Sequence, residues 1–135
     1  MQEDFYLDTS IWIDFYEKRN KNGELALKLI LKIIEEGVKI AYSDLNIKEF
    51  KNLGYTKNEI DAILRIAKPD NIHHIHIYGA QLEEARKLAR QRNVPNKDVL
   101  HAILARDNDL QLVSRDHHFE KLKDVADVKL PEDFI

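Results

Sequence analysis

At 135 residues, with 44% apolar residues and only 4 Gly and 3 Pro, the chain has the size and composition of one globular domain, residues 1–135, able to bury a core. Its 21 Lys and Arg against 24 Asp and Glu give a net charge of −3. That excludes a global basic field for nucleic acid, so any such contact is local or assisted by a bound cation. Cysteine is absent, which excludes disulfides, thiol nucleophiles and thiolate metal sites. Lys28, Lys32, Glu35 and Glu36 interrupt the longest apolar run, so no membrane span is expected, and the start Met1-Gln2-Glu3-Asp4 is acidic where a signal peptide is basic. A cytoplasmic protein is the expectation.

Residues 5–7 read as a short buried strand that runs into Asp8-Thr9-Ser10. Residues 9–16 read as a helix, with Ile11, Trp12, Phe15 and Tyr16 on a shared core face that is also a candidate partner or dimer surface. A polar loop is expected over 17–23, ending in the turn pair Asn22-Gly23. A strong helix spans 24–36, with Gly37 placed to end it. Leu25, Leu27, Leu29, Ile30, Leu31, Ile33 and Ile34 cover more than one of its faces, so it is buried on two sides or meets a partner.

Residues 38–42 form the second strand. Ser43 or Asp44 then caps a short helix carrying Glu49. Thr56-x-x-Glu59 is a capping box for a helix that Pro69 stops near residue 68. Residues 72–77 alternate as a third strand, suited to a sheet edge. The helix over 79–92 points Leu82, Ala85, Leu88 and Ala89 inward. Pro95-Asn96 starts another helix over 97–107. Residues 110–113 are the fourth strand, followed by Ser114-Arg115-Asp116 and a helical turn through Phe119 and Leu122. Residues 125–130 supply a fifth strand.

Strands alternating with helices imply an α/β fold with a mainly parallel sheet covered on both faces. If the first strand lies between the second and fourth, their carboxyl ends meet at a switch point. Asp8, Glu49, Asp98 and Asp116 then converge, although more than a hundred residues of chain separate the first from the last. Taken singly, each has an ordinary explanation: Asp8 as a helix cap, Glu49 as a surface acid beside Lys48 or Lys51, Asp98 against a helix dipole, Asp116 in a turn. Together they repel one another unless a cation neutralises them, and a hard ion with oxygen ligands, Mg²⁺ or Mn²⁺, is the economical reason to gather them. Such an ion activates water and orients a phosphodiester. Ser10 and Ser114 are placed to orient a neighbouring acid or a bound water, and Arg115 to meet a phosphate.

The remaining polar residues suggest less. Asp14, a turn and a half beyond Asp8, reads as a solvated acid, with an approach to the cluster as the alternative. His73, His74 and His76 read as solvated or edge-strand residues rather than metal ligands, and His117 and His118, next to Asp116, as a surface turn, with contact to substrate by one of them as the alternative. His101, one turn after Asp98, either faces the same cleft or does not.

Asp8-Thr9-Ser10 after a strand, Glu49 in Tyr42-Ser43-x-x-x-x-x-Glu49, Asp98-x-x-x-Ala102-x-x-Ala105 and Leu112-Val113-Ser114-x-Asp116-x-x-Phe119 resemble the four acidic motifs of the PIN-domain nucleases. The resemblance covers nearly the whole chain and extends to the VapC-type toxins among the small members. It implies a three-layer α/β/α fold with a five-stranded parallel sheet in the order 3-2-1-4-5. It also implies Mg²⁺- or Mn²⁺-dependent RNA cleavage, homodimers and an inhibiting antitoxin. It makes Asp8, Glu49, Asp98 and Asp116 metal ligands and Ser114 the hydroxyl that supports the last acid. Ser114 stands where the family usually has Thr, and Lys48 where a small residue is common. Family members that process RNA without an antitoxin, and a non-catalytic RNA- or protein-binding module on the same scaffold, are the alternatives. A haloacid dehalogenase type of site would need a second acid at position 10, which is Ser.

Overall fold

The computed structural model describes residues 3–135; Met1 and Gln2, which open the acidic N-terminal stretch, lie outside the described residues. The chain runs β1 (Phe5–Leu7), α1 (Thr9–Tyr16), α2 (Asn20–Glu35), β2 (Ile40–Ser43), α3 (Asp44–Asn52) and α4 (Lys57–Leu64). It continues with β3 (Ile72–Ile75), α5 (Gly79–Arg92), α6 (Asn96–Asp107), β4 (Gln111–Val113) and β5 (Val128–Lys129). Short 3-10 turns follow α4, β4 and β5. The sheet is wholly parallel with the order β3-β2-β1-β4-β5, the arrangement the motifs implied.

Alternating residues of the central strands feed two cores, which makes the three layers. Phe5, Leu7, Ile40 and Val113 pack against Ile11 and Trp12 of α1, Leu29, Ile30 and Ile33 of α2, and Ile60 and Ile63 of α4. Tyr6, Ala41 and Leu112 face Ala85 of α5 and Val99, Ile103 and Leu104 of α6. Trp12 is fully buried, whereas Phe15 and Tyr16 sit at the rim of the first core. No helix of the described residues is long and apolar enough to cross a membrane.

Several elements differ from the sequence expectation, each for a local reason. The loop over 17–23 is much shorter, because α2 already begins at Asn20. Lys18 and Asn20 take left-handed conformations that turn the chain in a few residues. Gly23 is therefore helical, and its missing side chain lets α2 press on the end of α1: a Cβ there would lie 2.7 Å from the Asp14 carbonyl oxygen and 2.9 Å from the Lys18 carbonyl carbon. The second strand starts two residues late because the Val38 N–H closes the preceding helix on Ile33 O at 3.1 Å. The third strand ends at Ile75, opposite Ser43, because β2 turns into α3 there and leaves His76 and Ile77 without a strand to pair with.

The fifth strand keeps only Val128–Lys129; the N–H groups of Val125 and Ala126 fold back on Leu122 O at 2.9 and 3.1 Å. Leu82 is 37% exposed, and Gln81 is buried in its place. The reason is polar: Gln81 accepts from Tyr78 N at 2.8 Å and donates to Asp107 Oδ2 at 2.9 Å, fixing the start of α5 against α6. On α2 the residues Leu29, Ile30 and Ile33 are buried, while Leu27 and Leu31 stay exposed.

Gly23→Ala is expected to cost about 1–3 kcal/mol, because backbone rather than a flexible side chain blocks the added methyl. Gly79→Ala, which meets nothing within 4 Å, is expected to be neutral or mildly stabilising. Urea denaturation of the two variants checks this.

Candidate active site

The carboxyl ends of β1, β2 and β4 open on a cleft of about 610 Å³. Asp8, Glu49, Asp98 and Asp116 all line it, with Thr9, Ser10, Arg19, Lys97 and Arg115. Asp8 stands at the N-cap of α1, yet its carboxylate makes no capping bond. Its backbone N–H instead continues the sheet to Val113 O at 2.9 Å. Its Oδ2 accepts from Ser114 Oγ at 2.8 Å and from Ser10 Oγ at 3.3 Å. Ser114 Oγ also accepts the Asp116 N–H at 3.0 Å. The expectation that Ser114 supports the last acid is thus incomplete: its hydroxyl holds the backbone of Asp116 and the carboxylate of Asp8 together.

Glu49 belongs to a closed ring of side chains that sequence reasoning did not find. His101 Nε2 lies 2.8 Å from Glu49 Oε1, and Thr9 Oγ1 donates to the same oxygen. Tyr6 OH lies 2.7 Å from His101 Nδ1 and 2.7 Å from Ser43 Oγ. Asn46 closes the ring, accepting from Ser43 Oγ at 3.4 Å and from the Ser43 backbone N–H at 2.9 Å, and donating to Thr9 Oγ1 at 2.9 Å. Tyr6, Ser43, Asn46 and His101 are all fully buried. Burial by itself would raise the Glu49 pKa, but the bonds from His101 and Thr9 and the charge of Lys97 outweigh it and bring it below the usual value. Burial likewise opposes protonation of His101, and Glu49, Asp8 and Asp98 overcome it to raise the imidazole pKa. The signals were present: a Tyr in a buried strand, and an Asn three residues after a capping Ser.

Asp98, in the first turn of α6, is only 2% exposed. Burial, then the charges of Asp116 and Asp8, push its pKa up to about 6. Asp98 Oδ2 is buried without a hydrogen-bond partner. Asp116 Oδ1 accepts the His118 N–H at 2.9 Å, and the His118 ring turns inward against both acids. The acids thus form two groups with ligand atoms near enough to share an ion, Asp8–Glu49–His101 and Asp98–Asp116–His118.

A family model for the PIN domain matches residues 5–125. The chain belongs to the PIN-domain family. Comparison with curated protein sequences gives no significant match. Among solved structures, VapBC2 from Rickettsia felis bound to a DNA fragment from their promoter superposes with a TM-score of 0.68 at 18% identity, over 93% of this chain and 97% of that one. A toxin–antitoxin complex from Klebsiella pneumoniae gives 0.63 at 17% identity, over 95% and 98%. FitAcB from Neisseria gonorrhoeae gives 0.58 at 20% identity, over 95% and 98%. At these identities the likeness is one of fold.

In this PIN domain the other candidate residues fall into place unevenly. Arg115 lines the cleft, but its guanidinium pairs with Glu132 at 2.8 and 3.1 Å. Asp14 is buried rather than solvated; Arg19 lies 3.7 Å away, and burial raises its pKa against the pull of Arg19 and Arg115. Gly23 of α2 lies against the Asp14 backbone carbonyl on the last turns of α1. His73, His74 and His76 stay on the edge strand and its extension, with His74 2.8 Å from exposed Asp44. His117 is exposed as a turn residue, whereas His118 departs from that expectation, because the 3-10 turn starting at His117 directs it to the acids. Lys97, beside Asp98 and exposed on the cleft, was not anticipated. Lys48 points to solvent.

The donors fit a hard divalent cation: carboxylates outnumber every other group, and one buried carboxylate oxygen lacks any hydrogen-bond donor. Because the folded pKa of Asp98 is raised, its ionisation weakens the metal-free fold. That loss is absent below about pH 4 and complete above about pH 6. With chelator present, the melting temperature of Asp98→Asn minus that of the wild type should therefore widen by a few degrees across this window and then level. Thermal unfolding between pH 4 and pH 8 measures it.

Proposed function

We propose that the chain is a metal-dependent endoribonuclease hydrolysing RNA phosphodiester bonds, and the toxin of a toxin–antitoxin pair. The observation that carries the enzymatic reading is the convergence of Asp8, Glu49, Asp98 and Asp116 on one cleft, with three cationic side chains lining it. Unneutralised, those acids repel a polyanion, so the cleft suits RNA only with a cation bound. A bound Mg²⁺ or Mn²⁺ would activate water and stabilise charge on the non-bridging oxygens.

The chain's own residues hold and orient. Asp8, Glu49, Asp98 and Asp116 are the proposed ligands. Ser114 and Ser10 fix the Asp8 carboxylate, and the Thr9–His101 pair fixes Glu49 through Oε1. Lys97 and Arg19 offer positive charge to the phosphodiester, and Arg115 joins them when a phosphate displaces Glu132.

The toxin reading rests on the VapC-like motifs and on the similar structures, one a toxin–antitoxin complex and one a VapBC2 assembly. A small antitoxin and a second copy of the chain are the proposed protein partners. Leu27 and Leu31 leave apolar area on α2 for such contacts.

Single-stranded RNA incubated with the purified chain should be cut in Mg²⁺ or Mn²⁺. Asp8→Asn and Asp98→Asn should each slow cleavage by about 100-fold or more. Full activity in excess EDTA would overturn the reading. Lys97→Ala should raise KM about two- to fivefold at low salt and leave kcat nearly unchanged.

A further inference from the structure

The two acid groups differ in what their imidazoles have left to give. Both ring nitrogens of His101 are engaged, Nδ1 by Tyr6 at 2.7 Å and Nε2 by Glu49 at 2.8 Å. His101 therefore has no lone pair for an ion and acts as a positioning residue for Glu49. His118 is the opposite case. Its Nδ1 lies 3.0 Å from Asp98 Oδ2 and 2.9 Å from Asp116 Oδ1. Neither approach has hydrogen-bond geometry: with a protonated imidazole both are ion pairs, and with a neutral one Nδ1 and Asp98 Oδ2 are buried without a hydrogen-bond partner.

Two independent observations thus point into one spot. The Asp98 side chain is 97% buried, and its Oδ2 is unpartnered and directed at the cluster. The imidazole is held there by its own backbone, whose N–H donates to Asp116 Oδ1. The three ligand atoms all lie within 4.8 Å of one another. Adjacent ligands of an octahedral ion with bonds of about 2.1 Å stand roughly 3.0 Å apart, which matches both measured separations.

We propose that His118 Nδ1 is a nitrogen ligand that completes, with Asp98 and Asp116, a mixed-donor cation site favouring Mn²⁺ over Mg²⁺. The inference rests on the metal-dependent reading above and adds to it a donor and a selectivity. Mg²⁺ holds oxygen donors and gives up water reluctantly. An imidazole nitrogen suits first-row transition ions, and the two carboxylates keep the site within the reach of Mn²⁺. The His118 side chain is 37% exposed although its Nδ1 is buried.

The test uses the full chain with Mn²⁺ or Mg²⁺ alone, followed by calorimetric titration and by pulsed electron paramagnetic resonance of the Mn²⁺ form. His118→Ala removes the donor, and His118→Asn puts an amide near the place of Nδ1; circular dichroism checks that both fold. The wild type should show one directly coordinated nitrogen, lost in both variants. Mn²⁺ affinity should fall about tenfold or more in His118→Ala, with a much smaller change for Mg²⁺. Tight Mn²⁺ binding with no coupled nitrogen, or with one that persists in His118→Ala, overturns the inference and leaves the four-acid reading standing. An unchanged Mn²⁺ to Mg²⁺ ratio in His118→Ala does the same. Absence of binding by either ion in the wild type overturns both.

Discussion

Mutual repulsion among carboxylates is the constraint around which the molecule is arranged. Four acids open on one cleft at the carboxyl ends of three adjacent parallel strands. Two of them are nearly inaccessible to water. In that setting negative charge is poorly screened, and at Asp98 burial together with the charges of Asp116 and Asp8 raises the carboxyl pKa.

The fold contains this repulsion differently at each acid. Asp8 receives two hydroxyl donors, from Ser114 and Ser10. Glu49 is anchored by a ring of five other side chains that links β1, β2, α1, α3 and α6. A ring of this kind is strong only when every member is satisfied, since each buried polar group left unpaired is costly. Asp98 and Asp116 have no such ring: both meet the His118 imidazole, and Asp116 also accepts the His118 backbone N–H. The contrast gives the cleft one half held by a hydrogen-bonded ring and another in which a buried carboxylate oxygen has no hydrogen-bond donor.

The acids themselves were legible along the chain because each follows a strong signal. Asp8 comes straight after an apolar strand, Asp116 three residues after another, and Asp98 opens a helix behind Pro95-Asn96. What escaped reading was polar partnership across long separations. Tyr6 reads as core in a buried strand, and its hydroxyl matters only because His101, 95 residues later, comes to rest 2.7 Å away. Leu82 follows the helical period inward, yet Gln81 takes the buried place because two hydrogen bonds hold it there. Gly23 looks like half of a turn pair, and its meaning lies in the approach of Asp14 from the preceding helix and Lys18 from the turn between. His117 and His118 are indistinguishable as neighbours in a string; a 3-10 turn sends one outward and the other to the acids.

By itself, then, the sequence determined the alternation of strands and helices, the absence of thiol chemistry, and the placing of an acid at or near each of three strand ends. Those properties are local, because hydrophobic period, capping and turn chemistry act over a few residues. The tertiary structure alone decided which acids are neutralised from within, which imidazole is consumed and which is left open, and where two helices touch closely enough to require glycine. Those outcomes depend on angstrom-scale distances between segments far apart in the chain, and no local pattern encodes such distances.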